Sequence, residues 1–406
     1  MAKRHCGAGA RLVTLVIKKR IEAADARDRC EGHAQRHLIV YPHPSLVAES
    51  LMSLYILSKE RLPQFVKALQ GKYRVVGPVV TETGFAFDDI TDPAQLQMDY
   101  TTTILPPKKY FLPQREVLFS YQNKRENGGP QRLEMRPVYQ DVQPTVIFGV
   151  HTCDMNGIML YDKVFSEGFR DEHYMERREQ IYVIGIECLH PCDEASFCKD
   201  MGTLTAPPIY DLHMTDAGDH YFVDTGTEKG ERLLLDNAYV KMAEKEDIQR
   251  LGQVLSSKWP RFRMRLKMSR DQIPSLLTLG YQARLWQELG ERCLACGSCT
   301  NVCPTCFCFD VRDENDITLQ GGERVRVWDS CQLREFALVA GGHNFRESKA
   351  SRVRHRLMRK GKYIKQVHGL IGCTGCGRCE RACLVNITIP GTLNALHEEM
   401  QLEPGI

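Results

Sequence analysis

Two runs of cysteine constrain this chain more than anything else in it. The first reads Cys293-x2-Cys296-x2-Cys299-x3-Cys303 followed by Pro304, and the second reads Cys373-x2-Cys376-x2-Cys379-x3-Cys383. Spacings of two and three residues let a short loop wrap three thiolates around one [4Fe-4S] cubane, while the fourth cysteine of each run reaches the other cluster. By that rule Cys293, Cys296, Cys299 and Cys383 hold one cluster, and Cys373, Cys376, Cys379 and Cys303 hold the second. Paired zinc sites are the competing reading, because C-x2-C pairs also suit tetrahedral zinc. Four cysteines per run and the proline after Cys303 favour iron and sulfur. Leu384 stands where the second run would carry the matching proline, which weakens the turn signal without removing a ligand.

The chain has 17 cysteines in 406 residues, and they are clumped: two near the start, four between Cys153 and Cys198, eleven between Cys293 and Cys383. Clumping, an odd count and the absence of a recognisable signal peptide argue against a secreted disulfide framework, so a reducing, cytoplasmic location is expected. A net charge of +3 is too mild to imply a nucleic-acid or membrane partner. The longest apolar stretches, "LVTLVI" and "SLMSLYIL", are far short of a bilayer span, so no direct membrane insertion is expected.

The pattern predicts an α+β protein. Residues 1–38 read as an extension, expected to be poorly ordered and without chemistry. Residues 39–250 read as an N-terminal α/β domain, 251–290 as a helical connector broken at Pro274, and 291–406 as a helical dicluster ferredoxin domain. Within the first domain, "PTVIFGVH" (144–151) and "IYVIGIEC" (181–188) read as buried strands joined by a helix that starts near Cys153. Parallel pairing through a right-handed crossover would bring Cys153 and Cys188 to one sheet edge, where open α/β sheets place ligands.

Between the two cysteine runs lie 69 residues, Pro304 to Gly372, far more than a compact ferredoxin needs. Segments 330–340 and 346–364 read as helices. The second carries Arg346, Lys349, Arg352, Arg354, Arg356, Arg359, Lys360 and Lys362, and Lys365 follows it. This could pass for a nucleic-acid stripe, but no aromatic interleaving supports that. Basic side chains near thiolate-ligated clusters stabilise the reduced form, and a solvated face or subunit contact accounts for the rest.

Outside the extension 1–38, seven cysteines remain after the eight ligands: Cys153, Cys188, Cys192 and Cys198 in the first domain, and Cys306, Cys308 and Cys331 in the last. The first four could make a third cubane at the sheet edge or be inert buried thiols. The last three would need a further ligand, either Asp329 or an N-terminal cysteine.

Taken together the residues resemble the iron–sulfur beta subunits of cytosolic sulfhydrogenases, which are NAD(P)-linked nickel–iron hydrogenases, and more distantly the A subunit of anaerobic sulfite reductase. The resemblance is carried by "LPPKKYFLPQRE" (105–116), "FGVHTCDMNGI" (148–158), "RRE" (177–179), "FC" (197–198), "CLACGSCTNVCPTCFC" (293–308), "WDSCQLR" (328–334) and "LVAGGHNFR" (338–346). It implies an electron-transfer subunit with two [4Fe-4S] clusters and a third iron–sulfur centre. Its partners would be a flavin/NAD(P)-binding subunit and nickel–iron hydrogenase subunits, or a sulfur/sulfite reductase subunit, with no nucleic acid. In the family pattern Cys153, Cys188, Cys198, Cys306, Cys308 and Cys331 match and Cys192 does not, favouring a third centre drawn from both domains. The alternative is a catalytic subunit that reduces polysulfide or sulfite at that centre. No G-x-G-x-x-G follows a strand, so no dinucleotide is assigned to this chain, and paired nickel-binding C-x2-C motifs are absent.

Overall fold

A computed structural model describes residues 53–124, 132–139 and 143–402. The extension 1–38 and the opening of the first expected domain lie outside the described residues.

The larger sheet has eight strands in the order β10-β1-β9-β8-β7-β6-β2-β3. They are β1 (Leu54–Ser58), β2 (Arg74–Thr81), β3 (Gly84–Asp89), β6 (Thr145–His151), β7 (Ile181–Ile186), β8 (Leu212–Asp216), β9 (His220–Thr225) and β10 (Lys241–Met242). Strands β2, β6, β7 and β8 run parallel, and β3 and β9 are antiparallel to their neighbours. Every residue of β6 is buried, as a continuous apolar run in a sheet covered on both faces requires. Helix α1 (Leu62–Gln70) follows β1, α2 (Thr152–Ser166) and α3 (Glu172–Glu179) join β6 to β7, and α4 (Glu228–Asn237) follows β9. The core around this sheet includes Phe65, Phe148, Met155, Tyr161 and Tyr174.

A second, antiparallel sheet joins the two halves of the chain. It has the order β11-β12-β4-β5, from β4 (Arg115–Lys124), β5 (Arg132–Pro137), β11 (Phe309–Asn315) and β12 (Gly321–Trp328). The C-terminal module is therefore not wholly helical. Its insert opens with a hairpin that completes a sheet begun two hundred residues earlier. Buried Glu116 of β4 fixes the join, accepting from Arg326 Nε of β12 at 3.0 Å and from Arg177 of α3. Edge strand β11 carries Asp310, Arg312, Asp313 and Glu314, charges that discourage further pairing.

Helices α5 (Lys245–Ser257), α6 (Ile273–Leu279) and α7 (Leu285–Arg292) fill the expected connector. Pro274 opens α6 rather than breaking it, since the first turn needs no N–H from that residue. Leu276, Leu277, Trp286 and Leu289 of α6 and α7 share a second core with Val353 and Leu357 of α8 (Lys349–Met358) and with Leu393 and Leu396 of α9 (Ile389–Leu402). The expected helix over 330–340 is instead a chain of turns with one 3-10 turn at Glu335–Ala337. Here Ser330 Oγ accepts from Gln332 N at 3.1 Å and from Thr300 Oγ1 at 2.7 Å, and Asp329 Oδ1 accepts from Ser330 N at 2.6 Å. Such local side-chain bonds offer the backbone an alternative to a helix.

Candidate iron–sulfur centres

Each cysteine run folds as an extended loop that ends in a one-turn helix, Ser298–Asn301 or Arg378–Arg381, carrying the third cysteine. Cys293, Cys296, Cys299 and Cys383 line one cavity with Arg356 and Ile387. Burial pushes the Cys299 thiol up; Arg356 opposes this, and Cys293, Cys303 and Cys383 add to it. Backbone amides already face two of these sulfurs: Ala295 N donates to Cys293 Sγ at 3.3 Å and Ile387 N to Cys383 Sγ at 3.2 Å. Such bonds favour thiolate over thiol and tune any cluster the sulfurs hold.

Cys303, Cys373, Cys376 and Cys379 form the neighbouring set. Burial pushes the Cys373 thiol up to about 12, with Cys379 and Cys303 contributing. Cys376 is pushed up to about 11, again chiefly by burial, and feels Cys303 and Cys379. Cys383 lies beside the first three cysteines and Cys303 beside the second three.

The six thiols matched to a single third centre do not come together. Cys153, Cys188 and Cys198 gather at the C-terminal edge of the parallel strands, and Cys192 joins them: it feels Cys188, and Cys198 feels both. Thr152 Oγ1 donates to Cys188 Sγ at 3.6 Å. Cys188 and Cys192 border a cleft of about 360 Å³ with Tyr100, His151 and Glu187. This group touches the second set through Cys376, which acts on both Cys153 and Cys198. The contact needs glycine. A Cβ on Gly375 (φ +69°) would fall 2.6 Å from Cys198 N, and one on Gly377 (φ +74°) 2.7 Å from Ala195 O. Phe197 N and Thr203 Oγ1 donate to the carbonyls of Gly375 and Thr374, at 2.7 and 2.5 Å.

Cys306, Cys308 and Cys331 form the other group. Cys306 lies beside Cys303 and Cys308 beside Cys331, a pairing that pulls the Cys308 thiol down against the effect of its burial. Asp329 spends its carboxylate on the Ser330 amide.

The sequence places basic side chains near the clusters, and the fold decides which of them are buried between these groups. The basic segment is helical, but three of its side chains point inward: Arg352, Arg356 and Lys360, four residues apart, are about 5% exposed or less. Lys360 Nζ lies 3.2 Å from Cys303 Sγ and donates to Thr305 Oγ1 at 2.5 Å. Arg356 Nη2 reaches the Cys299 carbonyl at 3.5 Å. Buried Lys108, one half of the Lys108–Lys109 pair, has Nζ 3.8 Å from the Trp328 ring centre and donates to the Cys306 carbonyl at 3.3 Å. The four-residue spacing was the available signal, since it stripes one helix face.

These side chains test what the thiols can hold. Buried cations without carboxylate partners are costly unless an anion lies close. Thiolates around an iron–sulfur cluster supply that anion, and cysteine sulfur is the donor such clusters take. Among the described residues no three His, Cys, Asp or Glu side chains could hold one metal ion. A tetrahedral zinc would need thiolates about 2.3 Å from a common centre.

Fold and thiols thus define an iron–sulfur protein of the electron-transfer class, and residues 292–387 match the 4Fe-4S dicluster domain family. Over 343 residues the chain is 34% identical to sulfhydrogenase 2 subunit beta of Pyrococcus furiosus, covering 84% of this chain and 98% of that one. It belongs to the sulfhydrogenase beta-subunit family. It is also 33% identical over 99 residues to F420-dependent formate dehydrogenase 1 subunit beta of Methanococcus maripaludis, 23% of this chain and 24% of that one. A formate dehydrogenase beta subunit of Methanocaldococcus jannaschii matches at 24% identity over 179 residues, 41% of this chain and 36% of that one. No solved structure matches. Among the described residues no helix is long and apolar enough to cross a membrane.

Proposed function

We propose that this subunit conducts single electrons between a flavin/NAD(P)-binding subunit and a nickel–iron hydrogenase or sulfur-compound reductase subunit. When bound, a [4Fe-4S] cluster accepts and releases one electron at a time. In this reading Cys293, Cys296, Cys299 and Cys383 hold one cluster, Cys303, Cys373, Cys376 and Cys379 a second, and Cys153, Cys188, Cys192 and Cys198 a third. The observation that carries it is the continuity of thiol neighbours from Cys299 through Cys303 and Cys376 to Cys153 and Cys198. Residues of the chain keep water away from that route, since Cys153, Cys198, Cys303, Cys373 and Cys379 are all buried.

Iron and acid-labile sulfide on anaerobically purified protein test the reading. It expects about twelve of each per chain; about eight would leave only the dicluster pair, and stoichiometric zinc in place of iron would end it. The close Cys308–Cys331 pair favours a second reading, catalysis of polysulfide or sulfite reduction at a centre built on that pair. Turnover of the isolated subunit with reduced viologen, lost in Cys331→Ser with the iron content intact, would support it.

A further inference from the structure

The cations around the thiols are of two kinds. Along the sheet edge and where the second cysteine run packs on it, each faces a carboxylate: Arg378 of that run binds Asp154 through two bonds of 2.5 and 2.8 Å, Lys258 binds Glu187 at 2.7 Å, and Arg381 of the run binds Asp193 at 2.7 Å. In the interior of the dicluster module, among the described residues, Lys360, Arg356 and Lys108 have no carboxylate within ion-pairing distance. Their partners are Cys303 Sγ, Thr305 Oγ1 and main-chain carbonyls. Among the described residues Arg356 Nε has no hydrogen-bond partner, although it is buried.

Adding an electron to a buried cluster adds negative charge. A neighbouring cation stabilises that charge in full when nothing neutralises it, and hardly at all when a carboxylate sits beside it. Lys360 acts at the shortest range, because its ammonium donates directly to a ligand sulfur. Arg356 lies between the two dicluster sets and acts on Cys299 and Cys379 alike.

We propose that Lys360, seconded by Arg356, makes the Cys303 set the high-potential sink of the subunit, and that the charge-matched sheet-edge thiols form its low-potential end, so that electrons run from the sheet edge into the dicluster pair. This rests on the conduit reading above and adds to it a direction and the residues that set it. Neither cation is a ligand; both are positioning residues that act through the electrostatics of the site.

The test is an EPR-monitored redox titration of the full chain, anaerobically loaded, as wild type, Lys360→Met, Lys360→Arg and Arg356→Gln, with iron and sulfide measured on each. In Lys360→Met one couple should fall by at least a tenfold change in its reduced-to-oxidised ratio, about 59 mV for one electron, with iron unchanged. Lys360→Arg should stay near wild type, and Arg356→Gln should lower both dicluster couples by less. The sheet-edge couple should be the most negative in the wild type and should not move in any variant. Unmoved potentials in both Lys360→Met and Arg356→Gln at full iron content would overturn the proposal, as would a sheet-edge couple more positive than the others. If Lys360→Met loses iron, Arg356→Gln decides. A wild type holding zinc refutes the conduit reading itself. One holding about eight irons removes only the third centre and the direction drawn from it, leaving the Lys360 shift to be measured.

Discussion

The sheet edge and the dicluster interior both collect cysteines and both bury basic side chains, yet they handle charge in opposite ways. At the edge, Arg378, Lys258 and Arg381 each meet a carboxylate, so their charge is spent on holding the fold together. Inside the dicluster module Lys360 and Arg356 meet sulfur and carbonyl oxygen instead. Removing a cation should therefore be felt in stability at the edge and in redox potential in the interior.

The sharpest way to break this contrast is Arg378→Met. Arg378 and Asp154 are almost fully buried, and the change strands Asp154 without a partner. The expected loss is about 3–5 kcal/mol in anaerobic denaturant unfolding, and the double variant Arg378→Met/Asp154→Leu should recover most of it. Lys360→Met strands no carboxylate and should lose clearly less. Equal losses in the two single variants would erase the distinction between matched and unmatched cations.

A second probe uses pH. His213, buried on β8, is pulled down from 6.5 to about 3, first by burial and then by the Lys258 charge. The folded value lies below the unfolded one, so the unfolded chain binds the proton first. The stability this residue contributes is fully present above about pH 6.5 and is lost progressively as pH falls from there towards 3. Between pH 7 and pH 5 the loss should be about 2 kcal/mol. His213→Phe should flatten that part of the stability profile, and an unchanged slope would show that His213 is not held neutral.

The spacing rules made the dicluster module and the β6–α2–β7 unit legible from the sequence, because both are local patterns repeated at fixed intervals. What escaped was long-range. Strand β12 pairs with β4 across roughly two hundred residues, and no local periodicity announces such a partner. Hydrophobic pattern gave no hint that Glu116 would be buried, since only Arg177 and Arg326, brought in from distant elements, make that position tolerable. Cys192 was set aside because it fell outside the family pattern, yet the loop that packs on Gly375 and Gly377 carries it to the other three thiols. From the sequence the basic helix supplies charge near the clusters and otherwise a solvated face or subunit contact, and only its four-residue spacing singles out which side chains turn inward. That spacing was the better guide, since an anionic site can draw a charged stripe inward.

The mildest probe is Arg381→Ala. Arg381 pairs with Asp193 as Arg378 pairs with Asp154, but the two side chains keep 25% and 41% of their exposure. Solvent screens such a pair, and surface ion pairs of this kind contribute about 0–1 kcal/mol. Arg381 also donates to the Cys376 carbonyl at 3.0 Å, so its removal loosens the loop that joins the second set to the sheet edge. Unfolding should fall by less than about 1 kcal/mol, and added salt should shrink the difference further, because screening weakens exposed pairs before buried ones. A loss as large as that of Arg378→Met, insensitive to salt, would mean that the edge is sealed from water at Asp193 as well. The boundary between matched and unmatched charge would then lie further out than the burial of these side chains places it.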